Sequence, residues 1–285
     1  MKILNHKLEG VEFLPARWTG GKIAPEIVIL HDTAGRLEKG NSAHYLADNE
    51  AKTSVHFVVE RDGTITQLVA TNRQANHAGK SIYHGREWCN GFSLGIEIVN
   101  PGKMTRISGL TGHWARAWWK EDFQDGHGCE LVEMTTPQHG AGVWMDYTPE
   151  QITAVTLLLE VLFRDIKTLK DITTHWYVSP GRKVDTSPLF PLEAIRAKIL
   201  GRDDPAEAAA ERGSELQEDC RRIVAPEGLN MRRWPSFNPN ILLTIPNGTE
   251  VLVRREGDFG GRTWLQVVYG GQSGWIVKSY TQPAA

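Results

Sequence analysis

The sequence predicts an α/β protein, a mixed central β-sheet flanked by helices, followed by a small all-β barrel. Three observations carry that reading. Residues 26–31 (EIVILH) are a nearly unbroken apolar run ending on a histidine, the pattern of a central strand covered on both faces. Residues 148–166 repeat apolar side chains at helical spacing, so helices and strands alternate as in a layered α/β architecture. Beyond residue 222 helical periodicity stops, and short β-rich runs broken by Pro-Asn-Gly and Gly-Gly turns take over.

The elements follow in order. Ser42 to Ala51 reads as a short helix. Residues 55–60 (VHFVVE) and 64–69 (TITQLV) flank Arg61-Asp62-Gly63, and Asp-Gly between β-rich runs supplies the positive φ a hairpin turn needs. In 93–99 (SLGIEIV), Leu94, Ile96 and Ile98 share one face of a strand, with Gly95, Glu97 and Val99 on the other. Residues 101–147 read as one long loop, rich in Gly, Trp, His and charge, of the kind that serves a site and overhangs it. Thr148, Pro149 and Gln151 give an N-cap, a first-turn proline and the third-position glutamine of a capping box. The helix they open carries Ile152, Val155, Leu159, Leu162, Phe163 and Ile166 in one stripe. Residues 171–175 (DITTH) form a short strand delivering His175, and 191–200 a closing helix. Residues 201–222, poor in large apolar side chains, read as a partly helical linker. The division is therefore 1–200, 201–222 and 223–285.

Composition excludes several classes. A net charge of −2 leaves no electrostatic footprint for nucleic acid or a membrane surface. No run approaches the roughly 18 apolar residues of a spanning helix, and the amino terminus lacks the apolar stretch of an export signal. A soluble protein made without a conventional signal is expected. Cys89, Cys129 and Cys220 are odd in number and lack CxxC spacing, so no disulfide framework or Cys-rich finger is readable and a reducing compartment fits. The metalloprotease helix motif, the phosphate-cradling loop and the dinucleotide fingerprint are missing. Gly91-Phe92-Ser93-Leu94-Gly95 formally matches a nucleophile elbow, but β-rich residues follow where that elbow needs a helix.

His31, His175 and Asp185 are the ligand types of a catalytic zinc, which takes three protein ligands and keeps a fourth position open. A structural zinc closes with four ligands, mostly cysteine, and the cysteines here are too few and too scattered. A lone histidine is more often a core or surface residue, so the trio gains weight only together.

Residues 26–200 resemble the zinc-dependent type-2 N-acetylmuramoyl-L-alanine amidases, a family that includes amidase-type phage lysozymes, muropeptide-recycling amidases and peptidoglycan recognition proteins. The strings that carry the resemblance are IVILHDTAG, SAHYL, HFVVERDGTITQLV, NHAGKS, SLGIEIVN and HWYVSPGRKVDTSPLFP. It implies the amidase/peptidoglycan-recognition fold and one zinc per chain on His31, His175 and Asp185, with Asp185 where some relatives carry cysteine. Lys183 falls on the family's catalytic lysine, and Glu97 on its acid/base glutamate, with a surface-paired glutamate as the alternative. Val55 stands where phage lysozymes carry tyrosine, which favours Glu97 over a tyrosine-assisted mechanism. His77 lies in a string near the substrate cleft, as a substrate contact or as loop structure. His56 reads as a hydrogen-bonded core histidine. His113, His127, Cys129 and His139 match no zinc spacing. Trp114, Trp118 and Trp119 pack the long loop or offer a stacking platform for sugar. Residues 228–280 resemble bacterial SH3-like modules, which often bind cell-wall peptides.

The implied activity is hydrolysis of the amide between N-acetylmuramic acid and L-alanine in peptidoglycan, with peptidoglycan or a muropeptide as partner and no nucleic acid or membrane insertion. The appended module favours a phage or prophage endolysin acting on the wall after release. The alternatives are a cytoplasmic amidase recycling anhydro-muropeptides and a non-catalytic peptidoglycan-binding protein, against which the ligand trio and Lys183 argue.

Overall fold

The apolar run at 26–31 forms the second strand of a six-stranded sheet, between two parallel neighbours, in the computed structural model, which describes residues 1–201, 220–232, 235, 237, 241–259 and 261–284. With β1 as Glu12–Phe13, β2 as Ile27–Asp32, β3 as Phe57–Val59, β4 as Ile65–Gln67, β5 as Ser93–Ile98 and β11 as Asp171–Thr174, the strand order is β11-β2-β5-β3-β4-β1. All neighbours run parallel except the β3–β4 hairpin. The sheet is thus mixed, and β2 is buried along its whole length. Side-chain alternation sends Val28 and Leu30 of β2, with Leu94, Ile96 and Ile98 of β5, into the main core. It leaves His31, Gly95 and Glu97 on the opposite face.

Helix α2, Pro149–Asp165, covers that core with Val155, Leu158, Leu159 and Leu162. Its capping box forms as the sequence implies: the Thr148 hydroxyl accepts from the Gln151 N–H at 3.1 Å, and the Gln151 side chain accepts from the Thr148 N–H at 3.2 Å. The Gln151 amide also donates to the Val99 carbonyl, tying the helix start to the end of β5. The short helix α1 spans Asn41–Ala47, α3 spans His175–Val178 and α4 spans Leu192–Leu200. No helix of the described residues is long and apolar enough to cross a membrane.

Residues 101–147 are not the structureless loop the sequence suggested. They fold as a three-stranded antiparallel unit, β6 Thr105–Ile107, β7 Trp114–Arg116 and β8 Asp122–Gln124, and a hairpin, β9 Leu131–Thr136 with β10 Gly140–Met145. A private core of Met104, Ala115, Ala117, Leu131, Val143 and Met145 holds them. Strands this short, whose inward residues include alanines, leave too little alternating hydrophobicity to be read as strands.

The linker expectation also shifts. Residues 202–219 lie outside the described residues, but Cys220–Ile223 is a strand, pairing with Glu250–Phe259 and Thr281–Pro283. Its two half-buried arginines made it look like linker, and only its distant partners make it a strand. The remainder forms a seven-stranded, wholly antiparallel sheet with one apolar cluster centred on Met231, Ile245, Leu265 and Ile276. A second cluster, Phe259, Trp264, Trp275 and Val277, packs on Ile82 of the first domain.

Candidate metal centre

Three parallel strands and one strap build the site. Parallel register sets Glu97 of β5 opposite His31 of β2, so both point to the face away from α2. Strand β11 runs beside β2 and ends at His175, the first residue of α3. The chain then turns through Ser179, whose carbonyl accepts from the Arg182 and Lys183 N–H groups, and returns Asp185, whose carbonyl accepts from the Trp176 N–H at 2.7 Å. His31, His175 and Asp185, more than 140 residues apart at the extremes, thereby bring three ligand atoms within 4.8 Å of one another. Nδ1 of His31 lies 2.8 Å from Nδ1 of His175, and Oδ2 of Asp185 lies 2.9 Å from the latter and 3.3 Å from the former.

Hydrogen-bond connectivity fixes where the protons sit. The Ser93 hydroxyl donates its only proton to the Cys89 carbonyl at 2.6 Å, because a carbonyl can only accept. Nε2–H of His77 therefore donates to Ser93 Oγ at 3.2 Å. Burial, then the charge of His31, holds His77 well below its ordinary pKa, so the ring is neutral and its Nδ1 accepts. The donor to it is Nε2–H of His31, 2.9 Å away. Burial, then the charge of His175, lowers His31 to about 4; this ring too is neutral, and its Nδ1 is a bare lone pair aimed at the cluster. Nε2 of His175 lies 3.2 Å from both the Ala78 carbonyl and the Arg182 guanidinium, and its Nδ1 faces Oδ2 of Asp185. Two imidazole Nδ1 atoms and a carboxylate oxygen thus converge. A buried carboxylate is costly unless paired, a cation held by this trio would pair it, and two histidines with one carboxylate suit zinc. Among the described residues no second cluster of three such ligands occurs.

Gly95 makes the chain behind His31 possible, because a Cβ there would meet the His77 ring at 2.6 Å. His56 closes the floor: its Nδ1 accepts from the Gly95 N–H at 3.0 Å while Nε2 donates to the Arg73 carbonyl at 2.9 Å, a wholly structural pairing.

Around the cluster, burial and then the negative charges of Asp185 and Asp32 push Glu97 well above the ordinary carboxylate range, with Lys183 opposing. Oε2 of Glu97 is buried without a hydrogen-bond partner among the described residues. Asp32 braces the strap: it accepts from the Tyr147 hydroxyl at 2.5 Å and from the Ser187 N–H at 2.7 Å. His139, on the turn of the insertion hairpin, donates from Nε2 to the Thr186 carbonyl at 2.9 Å. The insertion therefore bears on the strap that carries Asp185.

Of the residues singled out in the sequence, His31, His175 and Asp185 come together, and Glu97 and Lys183 lie close enough for their charges to act within the cluster. His77, read from the sequence as a substrate contact or as loop structure, lies behind His31, with one ring nitrogen on His31 and the other on Ser93. Sequence reasoning missed Ser93, Asp32, Tyr147 and His139 as supports. Only Asp32 left a signal, as an acidic residue at the end of an apolar strand.

A fold and site of this kind define a class. Residues 21–188 match the family profile described as N-acetylmuramoyl-L-alanine amidase, and the chain belongs to that family. It is 30% identical over 148 residues to 1,6-anhydro-N-acetylmuramyl-L-alanine amidase AmpD of Escherichia coli strain K12, covering 52% of this chain and 59% of that one. It is 41% identical over 166 residues to the AmpD of Haemophilus influenzae, covering 58% of this chain and 68% of the relative. A crystal structure of a selenomethionine AmpD derivative aligns over 69% of this chain and 98% of its own with a TM-score of 0.49 and 22% identity. The chain thus spans little more than half the length of the Escherichia coli relative.

Proposed function

We propose that this protein hydrolyses the amide bond between N-acetylmuramic acid and the L-alanine of a peptidoglycan stem peptide, with one zinc ion held by His31, His175 and Asp185. The observation that carries the reading is the convergence of three ligand atoms within the segment matching the amidase family. Zinc, when bound there, supplies Lewis acidity that polarises an amide carbonyl and acidifies water. Glu97, its carboxyl pushed up by burial, takes a proton from the attacking water and returns it to the departing alanine amine. The Lys183 ammonium stabilises the developing oxyanion. His77 and Ser93 hold the His31 ring in the tautomer that presents Nδ1.

The names of the relatives support soluble anhydro-muropeptides as substrate. A second reading, a phage or prophage endolysin acting on polymer, is favoured by the additional antiparallel sheet at 220–284, which we read as an SH3-like wall-binding module beyond a linker. Incubating the full chain with a purified anhydro-muropeptide and, separately, with sacculi tests both, by mass spectrometry of the products. Release of peptide with a free L-alanine amino terminus from either supports the amidase reading, and no release from both refutes it. Faster release from sacculi favours the endolysin.

A further inference from the structure

Trp118 is 73% exposed, the most exposed large hydrophobic side chain among the described residues. It is nonetheless held. Its indole N–H donates to the Ala34 carbonyl at 2.6 Å, and its ring meets that of Trp119 edge-on with centroids 5.8 Å apart. Trp119 is anchored in turn, donating to the Glu121 carboxylate at 2.6 Å and packing edge-on against Phe123. Trp118 sits in the turn joining β7 to β8, closed by the Lys120 N–H on the Ala117 carbonyl with Lys120 at a φ of 69°.

The acceptor, Ala34, lies three residues past His31 in the loop that leaves the ligand, at a φ of 44° unusual for a residue with a Cβ. Gly102, at the base of the insertion, fits against it; a Cβ there would approach that of Ala34 to 3.2 Å. Arg36 of the same loop pairs with Glu121 at 3.7 Å. The turn is thus fastened at several points to the loop that follows His31, and Trp118 stays exposed on it.

The surroundings select the occupant. Because the indole N–H is used by a backbone carbonyl, only the ring face remains for recognition. The turn and the loop it is fastened to also carry the charged Arg36, Lys120 and Glu121, which supply hydrogen-bonding groups near an aromatic face rather than the broad apolar patch that a protein partner needs. A flat apolar face rimmed by hydrogen-bonding groups matches a pyranose ring, which has C–H groups on its face and hydroxyl and amide groups at its edge. We propose that Trp118 is a sugar-stacking subsite that holds an N-acetylhexosamine ring of the glycan beside the ligand cluster. The identity of the glycan rests on the function proposed above; the stacking does not need hydrolysis.

Two measurements on the full chain test it. In the first, chitotetraose, an oligomer of N-acetylglucosamine, is titrated into wild type, Trp118→Ala and Trp118→Tyr by calorimetry. Binding by wild type, about tenfold weaker in Trp118→Ala and largely restored in Trp118→Tyr, supports the subsite. Absence of binding by wild type, or equal affinity in Trp118→Ala, overturns it. In the second, hydrolysis of a disaccharide-tripeptide should show KM raised about tenfold in Trp118→Ala with kcat and thermal midpoint kept; a fall in kcat and midpoint with KM unchanged marks a structural residue and overturns the subsite. Trp118-dependent sugar binding without hydrolysis in wild type refutes the amidase reading alone. Hydrolysis with Trp118-independent sugar binding refutes the subsite alone.

Discussion

Replacing Gly95 by alanine tests the hydrogen-bonded chain that orients His31. The new Cβ would sit 2.6 Å from Cγ of His77, 2.7 Å from its Nδ1 and 2.9 Å from Cγ2 of Val55, where ordinary contact is about 3.5–4.0 Å. Val55 is wholly buried and cannot retreat, so the His77 ring must move by about 1 Å to restore contact distance. The 2.9 Å bond from His31 then opens beyond hydrogen-bonding range. Overpacking of this kind costs about 1–3 kcal/mol of stability. Losing the partner of a ligating histidine lowers metal affinity about 10–100-fold. Denaturant unfolding of the metal-free full chain reads the first effect, and competition for zinc against a chromogenic chelator reads the second. The Gly95→Ala, His77→Ala double variant removes the obstacle, so it should be more stable than the sum of the single changes implies while zinc binding stays weak. A Gly95→Ala protein with wild-type unfolding midpoint and wild-type zinc affinity refutes the relay.

The other expectations concern the same site and its supports. His175→Ala and Asp185→Asn should lose zinc by metal analysis of the purified protein and lose hydrolysis with it; a fully active, zinc-loaded His175→Ala would sink the ligand assignment. Lys183→Ala and Glu97→Gln should keep zinc and fold yet lose about two orders of magnitude in kcat, and a near-wild-type Glu97→Gln would leave Glu97 a structural residue. Thr148→Ala removes the capping box of α2 and should cost about 1 kcal/mol in chemical denaturation. Burial pushes the Cys89 thiol up to about 11, so alkylation at neutral pH followed by peptide mass mapping should leave Cys89 unlabelled until the protein unfolds.

The β2 strand, the β3–β4 hairpin, the β5 strand and the start of α2 were legible because each is written in local chemistry: a continuous apolar run, an Asp-Gly turn, period-two alternation and a cap with its proline. The ligand types were legible too, as histidines and an aspartate in strings typical of a known family. The insertion was not, since its strands are only three to six residues long and partly lined by alanine. Nor was the strand at Cys220–Ile223, whose arginines read as linker until its partners, some thirty to sixty residues onward, are in place.

What the sequence determined by itself is therefore the set of groups available and the local elements that carry them, because propensity, periodicity and capping act over a few residues. What only the tertiary structure decided is which atoms of those groups are free. The tautomer of His31 depends on His77, Ser93 and the Cys89 carbonyl. His77 comes from the loop after the short strand Arg73–Ala75, outside the six-stranded sheet, and can approach only because residue 95 has no side chain. Proton positions follow from the full network of donors and acceptors, and that network exists only once strands distant in sequence lie side by side.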